Sequence, residues 1–156
     1  MQFNAQTRPI SGLLFSVNGQ VGKFIYRSQN PDTGKGFNLG STLTVDPTSR
    51  LKSSFTISYA RLSDFEDGQL FYSGYILRNT TSYQFTRKLF LRAIFEYNSF
   101  GDSFNVYPLL SYKFNPFTML CAGMTQDLQY YDSEEEYLFK PVSHQYFIKL
   151  QYLFSK

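Results

Sequence analysis

Apolar and polar residues alternate along nearly the whole chain. In Leu51–Leu62, Leu51, Phe55, Ile57 and Tyr59 fall on one phase and Lys52, Ser54, Thr56 and Ser58 on the other. The same period of two runs through Gly12–Tyr26, Gly36–Asp46, Leu70–Phe85, Lys88–Asn98, Phe104–Phe114 and His144–Phe154. Thr118–Tyr130 follows it less cleanly, and a short first segment lies at Gln2–Arg8. Successive side chains of a strand point to opposite faces, so each segment predicts a strand with one greasy and one polar face. No helical period competes. The expectation is an all-β, antiparallel up-and-down meander of eight to ten long strands, forming one domain over residues 1–156.

The segments run to about 10–15 residues, longer than the five or six usual in soluble domains and long enough for a tilted strand to cross the apolar layer of a membrane. Their connections alternate. Asp46–Arg50, Thr86–Lys88 and Asn115–Phe117 are tight, whereas Arg27–Lys35, Asp64–Gln69, Ser99–Ser103 and Tyr131–Ser143 are longer or more polar. Every tight turn falls on the side where Phe154 ends. Short turns on one side and longer loops on the other are the habit of bacterial outer-membrane barrels. Pairing Phe85 with Leu89 across their turn sets Tyr83 against Leu91 on the apolar face and Arg78 against Glu96 on the polar face. The same arithmetic sets Val45 against Leu51, Leu43 against Ser53 and Leu39 against Ile57.

Composition sharpens the choice between a lipid-facing barrel and a soluble one. There are 17 Phe and 13 Tyr but no Trp, which favours strands. The polar phases are mostly Ser, Thr, Asn, Gln and Gly with scattered charges, which suits a wet, hydrogen-bonded interior better than a soluble surface rich in Lys and Glu. Tyr59, Tyr75, Tyr83, Tyr97, Tyr112 and Tyr152 sit near strand ends as interfacial girdles do. The mean hydropathy of −0.30 leaves this open, because alternation averages out. A net charge of +3 without any Lys/Arg run argues against nucleic acid. The lone Cys121 cannot form an internal disulfide. The first residues, MQFNAQTRPISGLLFS, do not form a signal peptide.

Candidate chemistry is sparse. The single histidine, His144, stands beside Ser143, but neighbours on a strand face apart, so the two do not make a nucleophile–base pair. Metal-ligand spacing is absent, and Glu134–Glu136 lack the loop of oxygen ligands that calcium needs. Gly34–Gly36 is not a phosphate loop. No catalytic, cofactor or metal site is expected. By elimination the functional candidates are the lumen-facing charges Lys52, Arg78, Arg92, Glu96, Lys113, Asp127 and Lys149. In a pore they would bias the passage of ions or sugars. In a narrow barrel they would pair and plug it.

The stretches ILRNTTSYQFTRKLFLRAIFEYNSFGDSFNVYPLLSYKFNPFTMLCAGM and HQYFIKLQYLFSK resemble the C-terminal barrel of an uncharacterised family of bacterial outer-membrane proteins. In that family the barrel follows a module similar to family-nine carbohydrate-binding domains. The segments YQFTxxLxLR, YNSF and LSYxFNP carry most of the likeness. The family pattern has Pro-Gly after LSY, where this chain has Pro116-Phe117. The resemblance implies a Gram-negative outer-membrane location, a porin-like transmembrane barrel and a chain that is the C-terminal part of a longer protein. Outer-membrane lipid and the assembly machinery are the implied partners, with carbohydrate reached through the N-terminal module. Tyr152 and Phe154 match the terminal aromatics of the assembly signal, with Lys149 where a small residue is usual. Two alternatives stay open: a soluble lipocalin-like barrel for small ligands, and an outer-membrane lipid-modifying enzyme using His144.

Overall fold

A computed structural model describes residues 1–27, 31–133 and 136–154. Nine strands follow one another: β1 (Gln2–Ile10), β2 (Leu13–Tyr26), β3 (Asp32–Thr48), β4 (Leu51–Asp64), β5 (Leu70–Gln84), β6 (Leu89–Asn98), β7 (Ser103–Asn115), β8 (Thr118–Ser133) and β9 (Glu136–Tyr152). They form one antiparallel sheet in sequence order, and no helix occurs among the described residues. The expected meander is present. Among these residues it is open, with β1 paired only to β2 and β9 only to β8.

The tight turns share one device: a side-chain oxygen at the end of the incoming segment captures the amides that follow. Thr48 Oγ1 accepts from the Arg50 and Leu51 amides at 3.3 and 3.1 Å. Thr86 Oγ1 accepts from those of Lys88 and Leu89 at 3.2 and 3.0 Å. Asn115 Oδ1 accepts from the Phe117 amide at 2.9 Å, so this turn closes with Phe117 in place of glycine. The β1–β2 turn uses Gly12 at φ 82°, where a Cβ would lie 2.7 Å from the Asp46 carbonyl oxygen. These four turns lie at one end of the sheet.

Register follows the alternation where the turn length is regular. Tyr83 faces Leu91 and Arg78 faces Glu96, as expected from the β5–β6 turn. The β3–β4 pairing departs: Val45 faces Ser53, Leu43 faces Phe55 and Leu39 faces Tyr59. An irregularity between Val45 and Thr48 moves the hairpin tip to Thr48–Leu51, where the Thr48 hydroxyl holds it. The slip is of two residues, so every side chain keeps its face. At the other end, the expected loop Tyr131–Ser143 is mostly strand, since β8 runs to Ser133 and β9 starts at Glu136. Likewise β3 starts at Asp32, inside the expected loop Arg27–Lys35. Ser155 and Lys156 lie outside the described residues.

The two faces differ in exposure, and in the opposite sense to a soluble sheet. Among the described residues Thr44, Leu62, Ser111 and Cys121 are the buried side chains, and all four lie on the polar face. Phe55, Leu77, Leu110 and Ile148 lie on the apolar face and are exposed, Ile148 by 79%. Curling toward the polar face accounts for this. Tyr26 of β2 stacks on Phe71 of β5 at 4.6 Å between ring centroids, although the two strands are three apart in the sheet. Neighbouring strands are about 4.8 Å apart, so a flat sheet would hold those two strands about 14 Å from each other. The largest dry side chain on the polar face among the described residues is Leu62, 1% exposed, lying over Gly34 and Gly36.

Candidate functional site

Antiparallel pairing puts directly opposed residues on one face, so a row can be followed across the sheet. One such row runs Gln6, Ser16, Thr42, Thr56, Arg78, Glu96, Asn105, Asp127, Ser143, one residue from each strand. All nine are polar. The row is a belt across the middle of the curled face, and seven of its members, from Thr42 to Ser143, hydrogen-bond in three groups. Thr42 and Thr56 share a hydroxyl bond at 3.1 Å. Arg78 Nε donates to Glu96 Oε2 at 2.6 Å, and a second guanidinium nitrogen reaches the same oxygen. Asp127 accepts from the Asn105 amide at 3.2 Å, from the Tyr107 hydroxyl at 3.4 Å and from the Ser143 hydroxyl at 3.1 Å.

The belt sorts its two carboxylates by partner. Glu96 is neutralised by a cation, with its side chain 15% exposed. Asp127 has no ion pair among the described residues and is held by three neutral donors. Its negative charge is therefore solvated by oriented dipoles, and it remains able to attract a cation entering the concave side.

All seven charged candidates lie on the polar face. Arg78, Glu96 and Asp127 belong to the belt. Lys52, Arg92 and Lys113 sit nearer the tight turns: Lys52 faces Ser82, which faces Arg92 in turn, and Lys113 lies two residues before the end of β7. Lys149 faces Cys121, which faces Ser111; the Ser111 hydroxyl donates to Cys121 Sγ at 3.4 Å. Lys52 Nζ is 4.0 Å from Asp46 Oδ2, and Lys113 Nζ lies 5.6 Å from the centre of the Phe90 ring.

Ser143 and His144 face apart, as expected: Ser143 opposes Asp127 and His144 opposes Gln126. His144 is on the apolar face, its ring edge-on to Tyr146. Of Glu134–Glu136, Glu134 and Glu135 lie outside the described residues. Tyr152 packs edge-on against Phe154 at 4.5 Å. Among the described residues no group of three or more His, Cys, Asp or Glu side chains is placed to hold a metal.

Sequence reasoning on charges alone passed over Thr42, Thr56, Asn105, Tyr107 and Ser143. The signal that finds the belt is additive. Once one register is set, each paired sum carries the row into the next strand. No family model, curated protein or solved structure matches the chain.

Proposed function

We propose that this chain is a segment of an outer-membrane β-barrel that serves as anchor or pore for a surface or periplasmic protein of sugar-related function. The observation that carries this reading is the inversion of the sheet: aromatic and aliphatic side chains are exposed, while hydroxyls and amides fill the concave face. Membrane barrels turn an apolar band to lipid and a polar side to the lumen. Strand lengths of 9–17 residues suit such a crossing. In lipid, backbone groups are satisfied only by strand partners, which is what a continuous meander supplies. The belt then lies inside, with Arg78–Glu96 fixing its middle and Asp127 presenting a charge to passing solutes. The resemblance in sequence supports a sugar-related context, with the outer-membrane assembly machinery reading Tyr152 and Phe154. This reading assigns no catalytic step.

A soluble lipocalin-like barrel needs the aromatic phase inside. The exposure of Phe55, Leu110 and Ile148 weighs against it. The enzyme alternative gains nothing from His144, which opposes Gln126 on the apolar face.

The test is folding of the purified chain with and without detergent micelles, followed by far-UV circular dichroism and by gel mobility of unheated samples. Strand signal and heat-modifiable mobility only in micelles are expected. A monodisperse β protein in plain buffer overturns the reading.

A further inference from the structure

Acidic residues are segregated along the strand direction, whereas cations occur at both ends. Asp32, Asp64, Asp67 and Asp102 lie at the end carrying the longer loops, and Glu96 and Asp127 lie in the middle. At the tight-turn end Asp46 is the only acidic residue among those described, against Arg50, Lys52, Arg87, Lys88, Arg92 and Lys113. Four of these cations, Arg50, Lys52, Arg87 and Lys113, line one cavity of about 510 Å³ together with Asp46 and Phe90. Three of the four have no carboxylate within ion-pair distance among the described residues. The fourth, Lys52, has Asp46 only at 4.0 Å. The protein could have compensated these charges, as it did Arg78 with Glu96.

We infer that this cavity is a binding site for an organic anion bearing a phosphate group. Two arginines and two lysines converging on one space supply forked and point-charge donors to phosphate oxygens. The volume exceeds what a bare ion needs and lies in the range of small-molecule pockets, about 300–1,000 Å³. Phe90, on the same face as the four cations, offers a wall for the apolar part of the ligand. Lys113 over the Phe90 ring sets a cation beside that wall. The cavity is built from β3, β4, β5, β6, β7 and the β3–β4 and β5–β6 turns within one sheet, so the inference does not depend on lipid embedding. Free phosphorylated metabolites and phospholipid headgroups share the recognised chemistry.

The experiment titrates the full chain, folded in neutral detergent micelles, with phenyl phosphate, with phenol and with inorganic phosphate, by calorimetry. A parallel arm measures binding to phosphatidylglycerol vesicles against phosphatidylcholine vesicles. Saturable one-to-one binding of phenyl phosphate, weaker binding of phosphate and none of phenol are expected. The Lys52→Gln/Lys113→Gln variant should weaken it at least about tenfold, the scale of losing charge-assisted hydrogen bonds. Asp46→Asn, which removes the one competing carboxylate, should tighten it. Lys23→Gln/Lys35→Gln, whose lysines lie over Phe65 at the opposite end, should leave it unchanged. Binding confined to anionic vesicles, with the same dependence on Lys52 and Lys113, supports the site and assigns it to a headgroup. Absence of saturation in both arms, or equal losses in the two double-lysine variants, overturns it. Circular dichroism of each variant separates lost binding from lost fold, so a failure here is distinct from a failure of the barrel reading.

Discussion

Phe55 and Thr56 are consecutive residues of β4 in opposite surroundings. Phe55 is 53% exposed among Leu43, Ile57, Leu77 and Phe95. Thr56 is half-buried on the other face, its hydroxyl bonded to Thr42. In a soluble sheet the phenyl ring would be covered and the hydroxyl wet. Here covering the polar side has been preferred, and with it goes most of the dry core, since Leu62 and Cys121 are the only buried apolar residues among those described. The comparison teaches where each face finds its stability. The inner face holds together through hydroxyl, amide and ion-pair contacts, while the outer face leaves its apolar side chains exposed. Burial of such rings contributes about 25 cal/mol per Å², and for the outer face that gain comes only when something apolar covers it.

The largest expected break comes from putting the same cation on either side. On the proposed barrel reading, Phe55→Arg should destabilise the micelle-folded chain by about 2–4 kcal/mol, the penalty of an arginine facing lipid near mid-depth. Thr56→Arg, one residue on, should cost less than about 1 kcal/mol, as for a substitution into a wet polar surface. Denaturant unfolding in micelles measures both, and the reverse order would mean that the outer face is covered by protein.

A smaller effect is expected within the belt. Glu96→Ala strands the Arg78 guanidinium and should cost about 1–2 kcal/mol, reduced from a buried pair because Arg78 is more than half exposed. A double-mutant cycle with Arg78→Ala should show coupling that fades with added salt. A coupling indistinguishable from zero would mean that the pair is incidental to the fold. Smallest of all, Thr42→Val and Thr56→Val together should cost about 0.5–1 kcal/mol, the net worth of one neutral hydrogen bond. A neutral or stabilising result in the same unfolding assay would show that the concave side tolerates dryness.

The strands and their phases were legible because period-two alternation is a local property. So was the Arg78–Glu96 pair, because the turn between β5 and β6 is regular. The β3–β4 register was not, because the hydroxyl of Thr48 draws the hairpin tip two residues along, and no pattern of hydrophobicity records that. The extent of β8 and β9 was missed for a related reason. Pro141 and the glutamates read as loop, yet an irregularity between Asp127 and Leu128 absorbs the break and pairing resumes from Leu128 with Pro141 to Ser133 with Glu136. The charged candidates were found individually. Their division into a belt that holds the Arg78–Glu96 pair and an uncompensated rim needed the spatial order of strands, which only pairing supplies.

Nine is an odd number, and that has a directional consequence. A meander reverses heading at every turn, so β1 and β9 point the same way. If these two edges met, the resulting seam would be a parallel ladder with slanted bonds, unlike the eight antiparallel ladders around it. An antiparallel circuit instead requires an odd number of further strands. Only direct closure would leave a seam that stands apart by parity from the rest of the circuit, and that parallel ladder, slightly less stable per residue, marks where the wall of such a sheet would part first.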